Sequence, residues 1–376
     1  MLRFLESVGR KAESEFYVQL FRREPKERFA ALSIDANVAR HALDVVALHL
    51  KFLAALGLAP VVLLGLFEPT DAPEHAGRLV RRLRRDGVRA EPIAPSSLDA
   101  LPAALTEACR GGVIPVVAFG AEQGDGIDAR FDALAGVIAA LGTPKLIFLH
   151  RPGGLRQRDV LVPLVNIGVD AAALLASREL SRKERAIVVQ GSRLIEAVAH
   201  KLTVTVASPL NLLRELFTVK GAGTLLRRGA RVQRFERYGD VDLARLEALI
   251  ASSFGRSPSP DFFERPVQRI YLEEDYRGCA ILAEAPWGAY LTKFATDREA
   301  RGEGIARDLW QVFREEHRAV FWRARPSNPI NEWYTKLSDG LVKTSGWWVF
   351  WVGIAVEHIP AVIAWTLAQP EDIPPP

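Results

Sequence analysis

The chain has two cysteines and one methionine in 376 residues. Cys109 and Cys279 lie far apart, with no CxxC spacing around either. That excludes a disulfide framework and a thiolate zinc site, and it fits a reducing, cytoplasmic setting. Charge of one sign is also scarce: the formal net charge is +4. The one dense basic stretch, RLVRRLRRDGVR from Arg78 to Arg89, places Leu79, Val80 and Leu83 at helical spacing. It predicts an amphipathic helix with a solvated basic face, so no nucleic-acid partner is expected. The opening MLRFLESVGRKAESEFYVQLFRRE carries charges throughout and lacks the apolar core of a signal peptide. The late stretch GWWVFWVGIAVEHIPAVIAWTLA is broken by Glu357, His358 and Pro360. Its Trp/Phe/Val alternation predicts a buried strand rather than a membrane span, and no membrane association is expected. The seven histidines are scattered without metal-ligand spacing, so no metal is expected. No Ser-His-Asp or Cys-His arrangement is apparent, which leaves covalent catalysis by such a nucleophile without support.

What is present is a globular composition, 49% hydrophobic and 25% charged, over a length that favours two domains. From about Phe29 to Ser208, β-branched apolar runs alternate with amphipathic helical stretches. The runs are APVVLLG (59–65), GVIPVVAFG (112–120), KLIFLH (145–150), RAIVV (185–189) and LTVTVA (202–207). This alternation predicts an α/β domain with an open, mostly parallel sheet. Near GTLLRRGARVQRFERYGDVD the alternation stops. A helix-like LARLEALIASSF follows, then RIYLEED, GCAILAEA and AYLTKFAT in succession. Grouped strands after a helix predict an α+β second domain. The expected boundaries are 1–228 and 229–376.

Two stretches of the second domain carry chemistry. After the strand ending near Phe294, Arg301-Gly302-Glu-Gly304-Ile-Ala306 opens a helix whose Ile305, Leu309, Val312 and Phe313 form one apolar face. Small residues at 302, 304 and 306 let a phosphate approach backbone N–H groups at the positive end of the helix dipole. Further on, FWRARPSNPINEWYTKLSDG places Arg323 and Arg325 two residues apart on a strand-like segment. Both guanidiniums then face one side and Trp322 and Ala324 the other, a face suited to gripping carboxylates.

Arg-x-x-Gly-x-Ala between strand and helix resembles the pyrophosphate loop of GCN5-related N-acetyltransferases. Taken with YLTKFAT, FWRARPSNPINEWYTKLSDG and the closing WWVFWVG, in that order, the region resembles the acetyltransferase domain of vertebrate-type N-acetylglutamate synthases and of bifunctional bacterial synthase/kinases. Upstream, RELFTVKGAGTLLRRG (Arg214 to Gly229) is similar to the end of the amino-acid kinase domain in the same family. The resemblance covers essentially the whole chain. It implies an amino-acid kinase-like α/β sandwich followed by an α+β GCN5-related acetyltransferase domain, with acetyl-CoA and L-glutamate as co-substrates. It assigns Arg323, Arg325 and Asn328 to the substrate, with Lys293 and Phe294 lining the same pocket. Tyr334 would assist the departing thiolate, and Ala295, Arg301, Gly302, Gly304 and Ala306 would hold the cofactor. Direct attack by the α-amine on the thioester is the simplest route, with a strand N–H polarising the carbonyl. The base is unassigned, a water or Glu284 being candidates.

The kinase signatures are eroded. FAALSIDANV places Ser33, Asp35 and Ala36 where the family has a Lys-x-Gly-Gly element. LLGLFEP keeps only Gly65 of a second loop, GSRLI puts Ile195 at a catalytic lysine's place, and IDARFDA is what remains of an Asn-Ala-Asp element. Phosphoryl transfer rests on positioned positive charge and cradling backbone, so loss of kinase activity is expected. The resemblance further implies L-arginine as an effector, with Glu215 and Gly221 at its site and an N-terminal helix typical of arginine-sensitive kinases. It also implies a homo-oligomer, dimer or tetramer. The alternatives are an acetyltransferase for another acidic amino acid and a non-catalytic arginine-sensing subunit.

Overall fold

The computed structural model describes residues 11–94, 100–120, 126–218, 221–297 and 304–373. The chain divides into two compact units, Met1–Gly229 and Ala230–Pro376.

The first unit is built on an eight-stranded sheet. Its order is Ala90–Pro92, Ile114–Ala118, Val61–Leu64, Ala31–Ile34, Lys145–Leu149, Thr203–Ala207, Thr224–Arg227 and Leu164–Asn166. The first six strands run parallel, and Thr224–Arg227 turns antiparallel to Thr203–Ala207. Strands buried on both faces read as continuous apolar runs, which is why VVLL and KLIFL were visible in the sequence. Helices Leu43–Ala55 and Ala72–Arg85 cover one face, and Ile127–Leu141 and Arg182–Ala197 the other. The basic helix buries Leu79, Val80 and Leu83 and leaves its arginines outward.

One local expectation fails. RAIVV is not a strand but lies inside the helix Arg182–Ala197. Ser181 caps that helix by accepting from the Glu184 N–H at 3.2 Å, while the Glu184 carboxylate accepts from the Ser181 N–H at 2.8 Å. This reciprocal pair nucleates a helix where an isolated β-branched run suggested extension. VARHALDVVALHLKFLAALG is two helices, Ala36–His41 and Leu43–Ala55, broken at Ala42.

The second unit carries a seven-stranded sheet in the order Val232–Phe235, Arg269–Glu273, Gly278–Ala285, Gly288–Thr296, Val320–Ala324, Trp348–Val352, Gly340–Lys343. Every neighbouring pair is antiparallel except Gly288–Thr296 with Val320–Ala324. The crossover between those two parallel strands is the helix Ile305–Glu316. They pair only at Ala289 with Val320 and Tyr290 with Phe321, and then diverge. The late apolar stretch forms a strand, Trp348–Val352, and a separate helix, Ile359–Ala368, so the strand expectation holds for its first half alone. Pro360 stands in the helix's first turn, where its missing N–H costs nothing. Among the described residues no helix is long and apolar enough to cross a membrane.

Candidate functional site

Alternation along the strands of the second unit sorts the key side chains onto two faces of the sheet. Lys293, Arg323 and Arg325 lie on one. The Lys293 side chain is 6% exposed, and its ammonium lies 4.8 Å from the centre of the Phe262 ring and is paired with Asp372. Burial, the larger effect, drives its pKa below the lysine norm, although Asp372 pulls the other way. Asp372 also accepts from Arg265 at 2.6 Å, and Arg265 is held in turn by Asp261 at 2.8 Å. Arg323 donates to the carbonyls of Thr366 at 3.1 Å and Pro370 at 2.6 Å. Arg325 lies just past the strand end and pairs with Glu371 at 2.7 Å. The guanidinium carbons of Arg323 and Arg325 lie 4.2 and 3.9 Å from the Trp347 ring, which orients both.

The other face is aromatic. Phe294, Trp310, Trp322, Trp333 and Tyr334 pack together, with the Phe294 and Trp333 rings stacked at 5.7 Å and Tyr334 5.3 Å from Trp322. Phe294 is therefore adjacent to Lys293 in the chain, but its ring does not join the cations. Burial pushes the Tyr334 phenol well above its ordinary value and keeps it protonated at neutral pH. The two parallel strands stop pairing beyond Tyr290 and Phe321.

The helix Ile305–Glu316 begins at Gly304, whose φ of 83° is left-handed and favours glycine. Ala306 is half-buried, and Ala295 is buried on the neighbouring strand. A left-handed, small-residue entry into a 12-residue helix fits a diphosphate. Arg301 and Gly302 lie outside the described residues. Asn328 closes a turn, its Oδ1 accepting from the Ile330 N–H at 3.3 Å. Asn331 is 4% exposed and donates to the carbonyl of Arg325 at 2.9 Å, fixing the residue after the strand. Glu284 is exposed on the hairpin strand Gly278–Ala285.

Arg265, Trp347, Glu371 and Asp372 were not singled out as site residues from the sequence. Trp347 was legible as one of an aromatic pair, but the other three join the cations only through the fold.

In the first unit, the C-terminal ends of the parallel strands carry an ion-pair cluster. Asp35 caps the helix Ala36–His41, accepting from the Asn37 N–H at 2.6 Å. It lies 2.7 Å from the Lys183 ammonium and 3.5 Å from His150 Nδ1. Lys183 also meets Glu68 at 2.6 Å. Burial raises the Asp35 pKa, but hydrogen bonds from His150, Lys183 and the Asn37 N–H outweigh it and hold the carboxyl at about 2. Ile195 is packed into the apolar core at 2% exposure. Gly65 has φ 85°, and a Cβ there would lie 2.1 Å from the Phe119 carbonyl oxygen, so packing alone explains this glycine.

Glu215, 8% exposed, accepts from the Ala222 N–H at 2.9 Å, and a Cβ on Gly221 would stand 2.6 Å from its carboxylate. The structure thus brings Glu215 and Gly221 together. The helix Lys11–Arg23 packs on the helix Leu212–Phe217 through Phe21 and Phe217, 5.9 Å apart. Both cysteines are buried free thiols, and burial raises each to about 12. Among the described residues no group of His, Cys, Asp and Glu could hold a metal ion.

Residues 230–366 match the family described as NAT, the N-acetyltransferase of N-acetylglutamate synthase. A protein of Xanthomonas campestris named acetylglutamate kinase is 32% identical over 90% of this chain and 93% of its own. The mitochondrial N-acetylglutamate synthase of Mus musculus is 31% identical over 87% of this chain and 70% of its own. Among solved structures, N-acetylglutamate synthase from Neisseria gonorrhoeae complexed with coenzyme A and N-acetyl-glutamate superposes with a TM-score of 0.52. It shares 17% identity and covers 91% of this chain and 98% of its own. A second structure of that enzyme, with coenzyme A and L-arginine, gives 0.53 at 16% identity, with the same coverage.

Proposed function

The chain belongs to the family of the N-acetylglutamate synthases and acetylglutamate kinases that it matches, and from that premise we propose that it transfers acetyl from acetyl-CoA to the α-amine of L-glutamate. The observation that carries this reading is the gathering of Lys293, Arg323 and Arg325 on one sheet face, where two of them already hold carboxylates. Three cations beside the point where the parallel strands stop pairing suit a dicarboxylic amino acid, whose amine would be presented there to the thioester.

In the reaction, the amine nitrogen bonds to the thioester carbonyl carbon, the C–S bond breaks, and the amine proton leaves to a base. Tyr334, as the family resemblance implies, would be the donor that protonates the departing thiolate. Acetyl-CoA would enter along the start of the helix Ile305–Glu316, with Gly304 and Ala306 at its diphosphate.

Phosphorylation of N-acetylglutamate, suggested by the name of the Xanthomonas relative, is disfavoured by the first unit's cleft. Asp35 stands there among Lys183, Glu68 and His150, and Ile195 is core. Asp35 and Glu68 both draw on Lys183, leaving less of its charge to meet a nucleotide's phosphates. That unit instead serves regulation and homo-oligomeric assembly, with L-arginine as effector at Glu215 and Gly221. The two unpaired thiols suit a cytoplasmic location.

A thiol-release assay with acetyl-CoA and a panel of amino acids, with and without arginine, tests the proposal. Glutamate should be the preferred acceptor. Absence of CoA release with glutamate would sink it.

A further inference from the structure

The side chains assigned to glutamate already have ligands, and one short stretch of the chain supplies a partner to each of Lys293, Arg323 and Arg325. After the helix Ile359–Ala368, residues Pro370 to Ile373 run back across the cationic face. The Pro370 carbonyl accepts from Arg323 at 2.6 Å, Glu371 pairs with Arg325 at 2.7 Å, and Asp372 is shared by Lys293 and Arg265. The Ser259 N–H donates to the Asp372 carbonyl at 2.8 Å, and Ile373 packs against the Tyr238 and Phe262 cluster. Two consecutive carboxylates thus occupy the place that two carboxylates of one substrate would fill.

We propose that Glu371 and Asp372 form a built-in competitor for the acidic amino-acid site, which the substrate must displace before it is acetylated. This rests on the reading of that site under Proposed function. A physical exchange underlies it. The Lys293 side chain, at 6% exposure, is costly to leave without a counter-anion. The segment keeps the charge compensated until a substrate carboxylate replaces it. Being tethered, it competes at an effective concentration in roughly the millimolar range, so the apparent glutamate KM is raised while the segment is docked. The Arg325 and Glu371 pair is about two-fifths exposed on each side, so it is the weak end from which the segment peels.

The test uses the full chain. Glu371→Gln removes one partly exposed ion pair and leaves the fold intact. It should lower the glutamate KM by roughly two- to fivefold, with the acetyl-CoA KM unchanged. Asp372→Asn should lower it further where the variant folds. That second change strips the buried Lys293 ammonium of its anion, so if Asp372→Asn does not fold, Glu371→Gln decides the matter alone. As a second readout, saturating glutamate should speed amide hydrogen exchange at Ser259, whose N–H is released when Asp372 leaves. A glutamate KM that stays the same or rises in Glu371→Gln, or exchange at Ser259 that glutamate leaves unaltered, overturns the proposal. CoA release by the unaltered chain tests the site itself, so the competitor can fail while the synthase reading stands. No release from either form overturns both.

Discussion

The two units hold charge clusters of similar make-up that differ in what can be exchanged. In the first, Asp35, Lys183, Glu68 and His150 satisfy one another beyond the C-terminal ends of the parallel strands. In the second, Lys293, Arg323 and Arg325 are satisfied by Glu371, Asp372 and backbone carbonyls of a short segment. A cluster whose acids and bases sit beyond the ends of packed strands and at the start of a helix is structure. One whose anions arrive on a short acidic stretch is a site with a replaceable occupant.

The sharpest way to break that contrast is to look for phosphoryl transfer. Purified protein given ATP and N-acetylglutamate should form no phosphorylated product, and measurable turnover in a coupled ADP assay would mean that the first cleft is a working one. Next in size, Arg323→Ala should lower kcat/KM for glutamate by about 2 to 4 kcal/mol in transition-state binding, chiefly through KM. Acetyl-CoA binding should be nearly intact. Equal loss of both, read from steady-state kinetics, would make Arg323 a support of the fold.

Lys183→Ala removes the ammonium shared by Asp35 and Glu68. It should cost about 2 to 3 kcal/mol of first-unit stability in thermal or urea unfolding, with acetyl transfer by the second unit retained at permissive temperature. Smallest is an acid effect. Asp35 has a folded pKa of about 2, below its unfolded value of 3.8. It binds its proton more readily unfolded, so its stabilisation is complete above about pH 4 and is lost as pH falls toward 2. The stability gap between the unaltered chain and Asp35→Asn should therefore be roughly 2 kcal/mol near pH 6 and shrink on acidification. A gap independent of pH would show that the hydrogen bonds, not the charge, matter.

Much of this was legible in the residues. Parallel strands buried on both faces leave unbroken apolar runs, and Arg323 and Arg325 announce themselves because strand alternation puts neighbours two apart on one side. RAIVV misled because its local β-branched pattern was overruled by a capping pair at Ser181 and Glu184. Phe294 follows Lys293 in sequence, and strand alternation turns its ring to the opposite face of the sheet. Arg265 and Asp372 stand 107 positions apart, and nothing local in either marks their pairing.

By itself, then, the sequence determined the two α/β and α+β architectures, the helix start suited to a diphosphate and the cationic strand, because each depends on periodicity or spacing within some twenty residues. Tertiary structure alone decided which anions those cations meet, that Asp35 is locked to Lys183, and that the parallel strands part after Tyr290. Those outcomes depend on which distant segments share a low-dielectric surface, where a buried charge takes whatever partner the fold delivers.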